Sequence, residues 1–355
     1  MILLAVVYSI LALVREEVYY ITKSNINQYH TPTMSPKYVS YTFNMKQPST
    51  SRQQTLRNRL KLIESAFDTD KILARQAQDK NMVAKYYRLN RLAYRFVHSR
   101  AGFVHMGISR DGVFKTDDLY EQGRMIQAYI DKMKPSEVLE LAAGKAATTR
   151  FLARQNPDIH FHGMDLARGQ LDVNVEHPAN LTLSYGDYHD LRDIADNSVD
   201  LVYIIEALCH ARNKRQVIAE VSRVLKPGGR FIVFDGYTAK SPDKMSELER
   251  YAFDLTFASM MVNTTNLYYG DFKKDLTAEG LKLEKEENLS QYVLPSAKRI
   301  ERRAATFLKR PRIAKLATKL LSGTVTGNAV AGYLLALTTE MNIHQYWFTV
   351  AQKSK

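Results

Sequence analysis

Five carboxylates stand where short apolar runs of the chain stop. Glu140 lies within Val138–Leu141, Asp165 follows His160–Met164, and Asp187 follows Leu181–Tyr185 and Gly186. Glu206 follows Val199–Ile205, and Asp235 follows Arg230–Phe234. An ionised carboxyl accepts several hydrogen bonds and can take a proton from a reacting group, so such an array suits ligand capture or acid–base work. Each acid alone also reads as a solvated strand end or a helix cap. Between the first two runs Ala142-Ala143-Gly144-Lys145-Ala146-Ala147-Thr148-Thr149 supplies small residues. Small residues at a strand-to-helix turn let a ligand approach the backbone and aim helix N–H groups at it. Glu206 opens a second segment, Glu206-Ala207-Leu208-Cys209-His210-Ala211, which sets an imidazole four residues beyond a carboxyl. Cys209 reads as a small buried hydrophobe. As the one cysteine in 355 residues it excludes an internal disulfide and a multi-cysteine metal site, and no metal is expected.

The elements that must hold these groups alternate. The runs at 138–141, 160–164, 181–185, 199–205 and 230–234 are short enough for strands. Helical patterns separate several of them, including Val217–Val224, and Lys226-Pro227-Gly228-Gly229 reads as a turn before the last. Strands alternating with helices imply a parallel sheet with crossover helices, an α/β fold. Ligands of such sheets bind beyond the carboxyl ends of the strands, where the acids fall.

The order Glu140-Leu-Ala-Ala-Gly144, Met164-Asp165, Gly186-Asp187, Asp200-Leu-Val-Tyr and Leu225-Lys-Pro-Gly-Gly229 resembles the class I S-adenosylmethionine-dependent methyltransferases. The resemblance covers roughly residues 120 to 237, and Gln345–Gln352 would be the family's last, antiparallel strand. It implies a Rossmann-like seven-stranded sheet with N-terminal helices and a C-terminal helical insertion. It also implies roles for particular residues. Glu140 with the Ala142–Gly144 turn would cradle the methionine part of S-adenosylmethionine, and Asp165, with Leu166 beside it, would hold the ribose hydroxyls. Asp187 would accept from the adenine amino group with Tyr188 adjacent. Two departures carry consequences. Ala142 and Ala146 stand where the family places glycine, which a cofactor tolerates if both have negative φ. Lys145 must point outward, since a cation beside a sulfonium is unfavourable.

Glu206–Ala211 further resembles the E-A-T-C-H-A segment of sterol C-24 methyltransferases, with Leu208 in place of Thr. Lys85-Tyr86-Tyr87 and Phe103-Val104-His105-Met106 resemble their tyrosine-pair and F-H segments. This implies Tyr86, Tyr87 and His105 as acceptor-binding residues, with Glu206 or His210 as the base. Methylating an alkene carbon creates a carbocation, which aromatic faces stabilise and which then loses a proton. The 21 Tyr, 14 Phe and single Trp suit such a cavity and suit ordinary packing equally. A lipophilic acceptor is therefore expected. N- or O-methylation of a small amine, phenol or quinone, and a non-catalytic membrane-associated scaffold, stay open.

Charge places the remaining features. The chain carries 50 Lys+Arg against 37 Asp+Glu, and nine of those bases fall between Lys298 and Lys319 against Glu301 alone. Such a stretch fits an anionic surface, phospholipid or nucleic acid, or a solvated helix face. No RNA-binding module accompanies it, so nucleic acid is not expected. Met1–Val14 is apolar apart from Tyr8 and Ser9, too short to span the roughly 30 Å hydrocarbon core as a helix. It reads as an interfacial or signal-anchor segment, a cleaved signal, or a helix packed on the domain. Membrane association at the cytosolic face is expected. The layout is an apolar segment at 1–24, a linker at 25–54, a helical cap at 55–119 and the methyltransferase core at 120–288. A basic helical lid follows at 289–341, then a final strand and tail at 342–355.

Overall fold

The computed structural model describes residues 51–74, 86–87, 90, 99, 101–166, 176–264, 267–310, 314–315, 317 and 323–354. The apolar segment, most of the expected linker, and the greater part of the basic run beyond 310 lie outside the described residues. The helical pattern over Leu56, Leu60 and Ile63 is α1 (Ser51–Ala66), which begins four residues before the expected boundary and buries those side chains. A short α2 (Thr69–Leu73) follows. No helix among the described residues is long and apolar enough to cross a membrane.

The core begins with α3 (Glu121–Met133), whose Ile126 and Ile130 are buried one helical turn apart. Then come β1 (Glu137–Leu141), α4 (Ala147–Gln155), β2 (His160–Asp165), β3 (Leu181–Tyr185), β4 (Val199–Ile205), α5 (Lys214–Val224) and β5 (Leu225–Thr238). After β5 the chain forms α6 (Glu247–Ser259), α7 (Tyr269–Ala278), β6 (Leu281–Asn288), α8 (Ser290–Leu308), α9 (Gly323–Glu340) and β7 (His344–Lys353). The seven strands run in the order β3-β2-β1-β4-β5-β7-β6. β1 to β5 pair in parallel, and β7 is antiparallel to both β5 and β6. This is the seven-stranded α/β sheet with an antiparallel last strand that the sequence resemblance implied.

Both faces of the sheet are covered, which is why β4 reads as a continuous apolar run. On one face Val217, Ile218 and Val221 of α5 and Phe272 and Leu276 of α7 pack with Val202, Ile204 and Val233. On the other, α3, α4 and the first turn of α8 pack with Leu201, Ile232, Phe348 and Val350. A further cluster joins Leu56, Leu60 and Ile63 to Leu255 and Phe257 of α6 and to Val330, Leu334 and Leu337 of α9; Cys209 belongs to it.

One expectation changes. Lys226-Pro227-Gly228-Gly229 is the irregular start of β5, not a turn before it. Gly228 has φ +82, and a Cβ on Gly229 would come within 2.8 Å of the Lys226 carbonyl, so only glycines let the chain enter the sheet there. Asp200 belongs to the far end of the sheet, where it accepts the N–H groups of Ser136 and Glu137 and pairs with Lys226. Among the described residues, the helices of 289–341 contribute no residue to the lining of the cleft described below. Their buried apolar residues pack against the sheet face and the cluster of α1 and α6.

Candidate active site

The turn after β1 is built by three N–H groups. Ala143 donates to the Met164 carbonyl at 2.8 Å, Ala146 to the Ala143 carbonyl at 2.7 Å, and Gly144 to Oδ2 of Asp165 at 2.8 Å. The last bond ties the small-residue turn to the carboxyl end of β2. Ala142 and Ala146 both have φ +54 and Gly144 φ +56. The alanines thus hold the left-handed conformation that glycine accepts without strain, against the negative φ expected of them. The Lys145 side chain lies along Gly102 and is not among the groups that line the cleft.

At this turn opens a cleft lined by Glu140, Ala142, Ala143, Gly144, Thr148, Met164, Asp165 and Leu166 of the β1 and β2 ends and the turn between them. Asp187, Tyr188, His189 and Arg212 also line it, as do Tyr87, Phe103, Val104, His105, Ile205, Glu206, Ala207 and His210. Eleven of the twelve site residues expected from sequence line this cleft, and one does not. Tyr86 is outside: its ring is buried edge-on against Tyr87, and its hydroxyl donates to Asn328. Tyr188 is inside, but its hydroxyl is already engaged with the Ala207 carbonyl at 3.3 Å.

The electrostatics divide the cleft. Glu140 is buried beneath the turn, and burial pushes its carboxyl up to about 8 although Tyr203 and Thr149 donate hydrogen bonds to it. Its neighbours in those bonds are hydroxyls, so a cationic group in the cleft would find an acid ready to ionise. Asp187 is the opposite case. The His189 ring at 2.6 Å holds its carboxyl down to about 2, with Arg212 at 3.4 Å adding to the effect. A cation-ready carboxyl near the turn, the Asp165 carboxylate in the middle, and a Gly144 where an added Cβ would meet only Val104 at 3.8 Å fit an extended cofactor with a cationic end and a sugar diol.

Around the acceptor side, the bonds revise the sequence expectations. Glu206 has φ +49, donates its N–H to the Phe234 carbonyl at 2.7 Å, and accepts the Met106 N–H at 2.8 Å. Burial pushes its carboxyl up to about 8, against the Met106 and Tyr346 hydrogen bonds that favour ionisation. It fastens the 103–107 strap and is protonated at neutral pH. His210 has Nδ1 3.0 Å from the Met261 carbonyl, so that nitrogen carries the proton, and Nε2 then accepts from the Tyr87 hydroxyl at 2.8 Å. Both nitrogens are used. His105 differs: Nδ1 faces the Met106 carbonyl at 3.1 Å, while Nε2 is buried without a hydrogen-bond partner among the described residues. Burial pushes both imidazoles down to about 4, so both are neutral.

Sequence reasoning missed His189 and Arg212, each adjacent to a residue or segment it had singled out. It also missed Phe103 and Val104 as lining, although both lie inside the quoted F-H segment. Among the described residues no group of His, Cys, Asp and Glu is placed to hold a metal ion.

Residues 139–233 match the methyltransferase-domain family. An O-methyltransferase of Pyrenophora dematioidea is 28% identical over 145 residues, covering 38% of this chain and 54% of that protein. A sterol 24-C-methyltransferase of Neurospora crassa is 34% identical over 116 residues, 31% of this chain and 30% of the relative. The chain therefore spans about half or less of the length of these curated relatives. A solved structure described as a putative sarcosine dimethylglycine methyltransferase, from Galdieria sulphuraria, superposes with a TM-score of 0.59 at 18% identity, covering 74% of this chain and 96% of the other. The similar proteins are named for oxygen, carbon and nitrogen acceptors.

Proposed function

We propose that this chain, whose core is a class I S-adenosylmethionine-dependent methyltransferase, methylates a carbon of a lipophilic isoprenoid- or sterol-type alkene. S-adenosylmethionine is the cofactor, and when bound it supplies an electrophilic methyl group. Glu140 would face its cationic end, Asp165 its ribose, and Asp187 with Tyr188 the adenine end. The observation that carries the acceptor reading is the composition of the lining contributed by the 103–105 strap, Tyr87 and the residues at and after the end of β4. Tyr87, Phe103, Val104, Ile205 and Ala207 are apolar or aromatic, and the titratable groups among them are neutral at pH 7. Such a wall favours an apolar acceptor and shields a developing cation from water, while aromatic faces attract it. The similarity to a sterol 24-C-methyltransferase supports the same reading.

Once the new carbon–carbon bond has formed, the acceptor must release a proton. Glu206 already bears one, and the Nε2 lone pair of His210 is taken by Tyr87. Among the described residues the ring nitrogen of this group without a hydrogen-bond partner is Nε2 of His105, which we assign as the proton acceptor. Glu206 and His210 then act as positioning residues, the first holding the strap that carries His105 and the second orienting Tyr87.

The test is methyl transfer from labelled S-adenosylmethionine to a lipid extract, with apolar and polar products separated. Label should appear on carbon in the apolar fraction, and His105→Ala should lower turnover by about 10²–10⁴ with cofactor affinity unchanged. Labelling confined to polar amines or phenols would reject the acceptor, and full turnover by the variant would reject the base.

A further inference from the structure

We propose that the outer face of α8 docks on an anionic phospholipid surface. The helix has two sides. Val293, Ser296, Ala297, Ala304 and Leu308 are buried against the sheet and α9. Lys298, Arg302 and Arg303 are exposed on the opposite side, and exposed Lys309 and Arg310 continue the stripe from the helix's end. At 3.6 residues per turn, Lys298, Arg302 and Lys309 fall nearly in line, while Arg299 lies over the Phe114 ring at 4.2 Å. Glu301 is the helix's one carboxylate, and it is turned aside to Arg59 at 2.7 Å. Lys298 also pairs with Glu340 at 2.5 Å.

A flat, dense negative charge is the complement of such a stripe, and basic side chains near an anionic bilayer each add to binding. Nucleic acid fits less well. No aromatic ring stands among these exposed residues for a base to stack upon. The sequence also carries the fourteen-residue apolar run Met1–Val14, which a bilayer can take up and a nucleic acid cannot. The face is joined to the cleft. Ser296 of α8 accepts the Gly107 N–H at 3.2 Å, and the Tyr292 carbonyl accepts the Ser109 N–H at 2.8 Å. The helix that would rest on the bilayer therefore holds the strap carrying Phe103 and His105, both of which line the cleft. The inference rests on the helix's charge and not on the methyl-transfer reading, because docking is measured without a methyl acceptor.

The experiment is sedimentation of the full-length chain with neutral phosphatidylcholine vesicles and with vesicles containing phosphatidylserine. The wild type should prefer the anionic vesicles, and raising the ionic strength well above about 0.15 M should remove that preference. The variant R302Q/K309Q/R310Q, which touches no residue of the cleft, should lose on the order of 100-fold of it. Its melting temperature and S-adenosylmethionine affinity should stay unchanged, which separates failure of docking from failure of the enzyme. Equal binding of the wild type to both vesicle types overturns the proposal, and that result needs no variant. A folded variant that keeps the anionic preference overturns it too, as does an RNA duplex that displaces the chain from vesicles at equal phosphate concentration.

Discussion

Asp165 serves the turn and the cleft with one carboxyl. Its Oδ2 accepts the Gly144 N–H, which leaves further lone pairs for a ligand's hydroxyls. Asp165→Ala should weaken S-adenosylmethionine binding by about 1.5–3 kcal/mol, from the loss of hydrogen bonds to a charged group. Calorimetry on the folded variant reads it, and unchanged affinity would remove Asp165 from the cofactor's contacts. This residue was legible because strand-end carboxylates of parallel sheets meet ligands. The histidines were not. His210 follows a carboxyl by four residues and reads as a base, yet its tautomer is set by the carbonyl of Met261 and its other nitrogen by Tyr87, both remote in the chain. His105 read only as a contact, because nothing in its neighbourhood of sequence says that, among the described residues, Nε2 has no hydrogen-bond partner.

At the scale of elements, the strand ends and the helix faces followed from periodicity, while backbone sign did not. Ala142 and Ala146 share φ +54 but differ in surroundings: Ala142 is half-buried and Ala146 fully buried. Holding alanine in the left-handed region costs about 1–2 kcal/mol, and glycine returns about 0.4–1 of that through its freer unfolded chain. Ala142→Gly should therefore stabilise the protein by about 0.5–1 kcal/mol. At Ala146 the lost burial of a methyl, about 0.8 kcal/mol, cancels the gain and leaves the change near zero. Urea denaturation of the two variants distinguishes them, and a destabilised Ala142→Gly would show that its methyl packs more tightly than the strain costs. The C-terminal helices were legible as amphipathic and basic. Which neighbour took their apolar side was not, because a helix's pattern specifies a buried face and leaves open what covers it.

Across the whole molecule, the buried titratable groups oppose one another in pH. Burial holds Glu140 and Glu206 up at about 8 from 4.5, so the folded chain binds more protons than the unfolded between those values. Their contribution is full below the unfolded value and is lost as pH rises towards 8. His105 and His210 are held down at about 4 and His344 at about 3, from 6.5. Their contribution is full above 6.5 and is lost as pH falls below it. Asp235, held up at about 6, has largely ionised by neutrality. Above pH 6.5, then, the two glutamates act alone among these groups. Each proton is worth about 1.4 kcal/mol per pH unit, so the ligand-free chain should lose roughly 2–4 kcal/mol between pH 6.5 and 8. Glu206→Gln keeps an oxygen for the Met106 N–H and cannot ionise, so it should remove about half of that slope. Urea titrations at the two pH values measure both, and stability that holds level or rises from 6.5 to 8 in the wild type would mean that these carboxyls reach water or a cation in the folded chain.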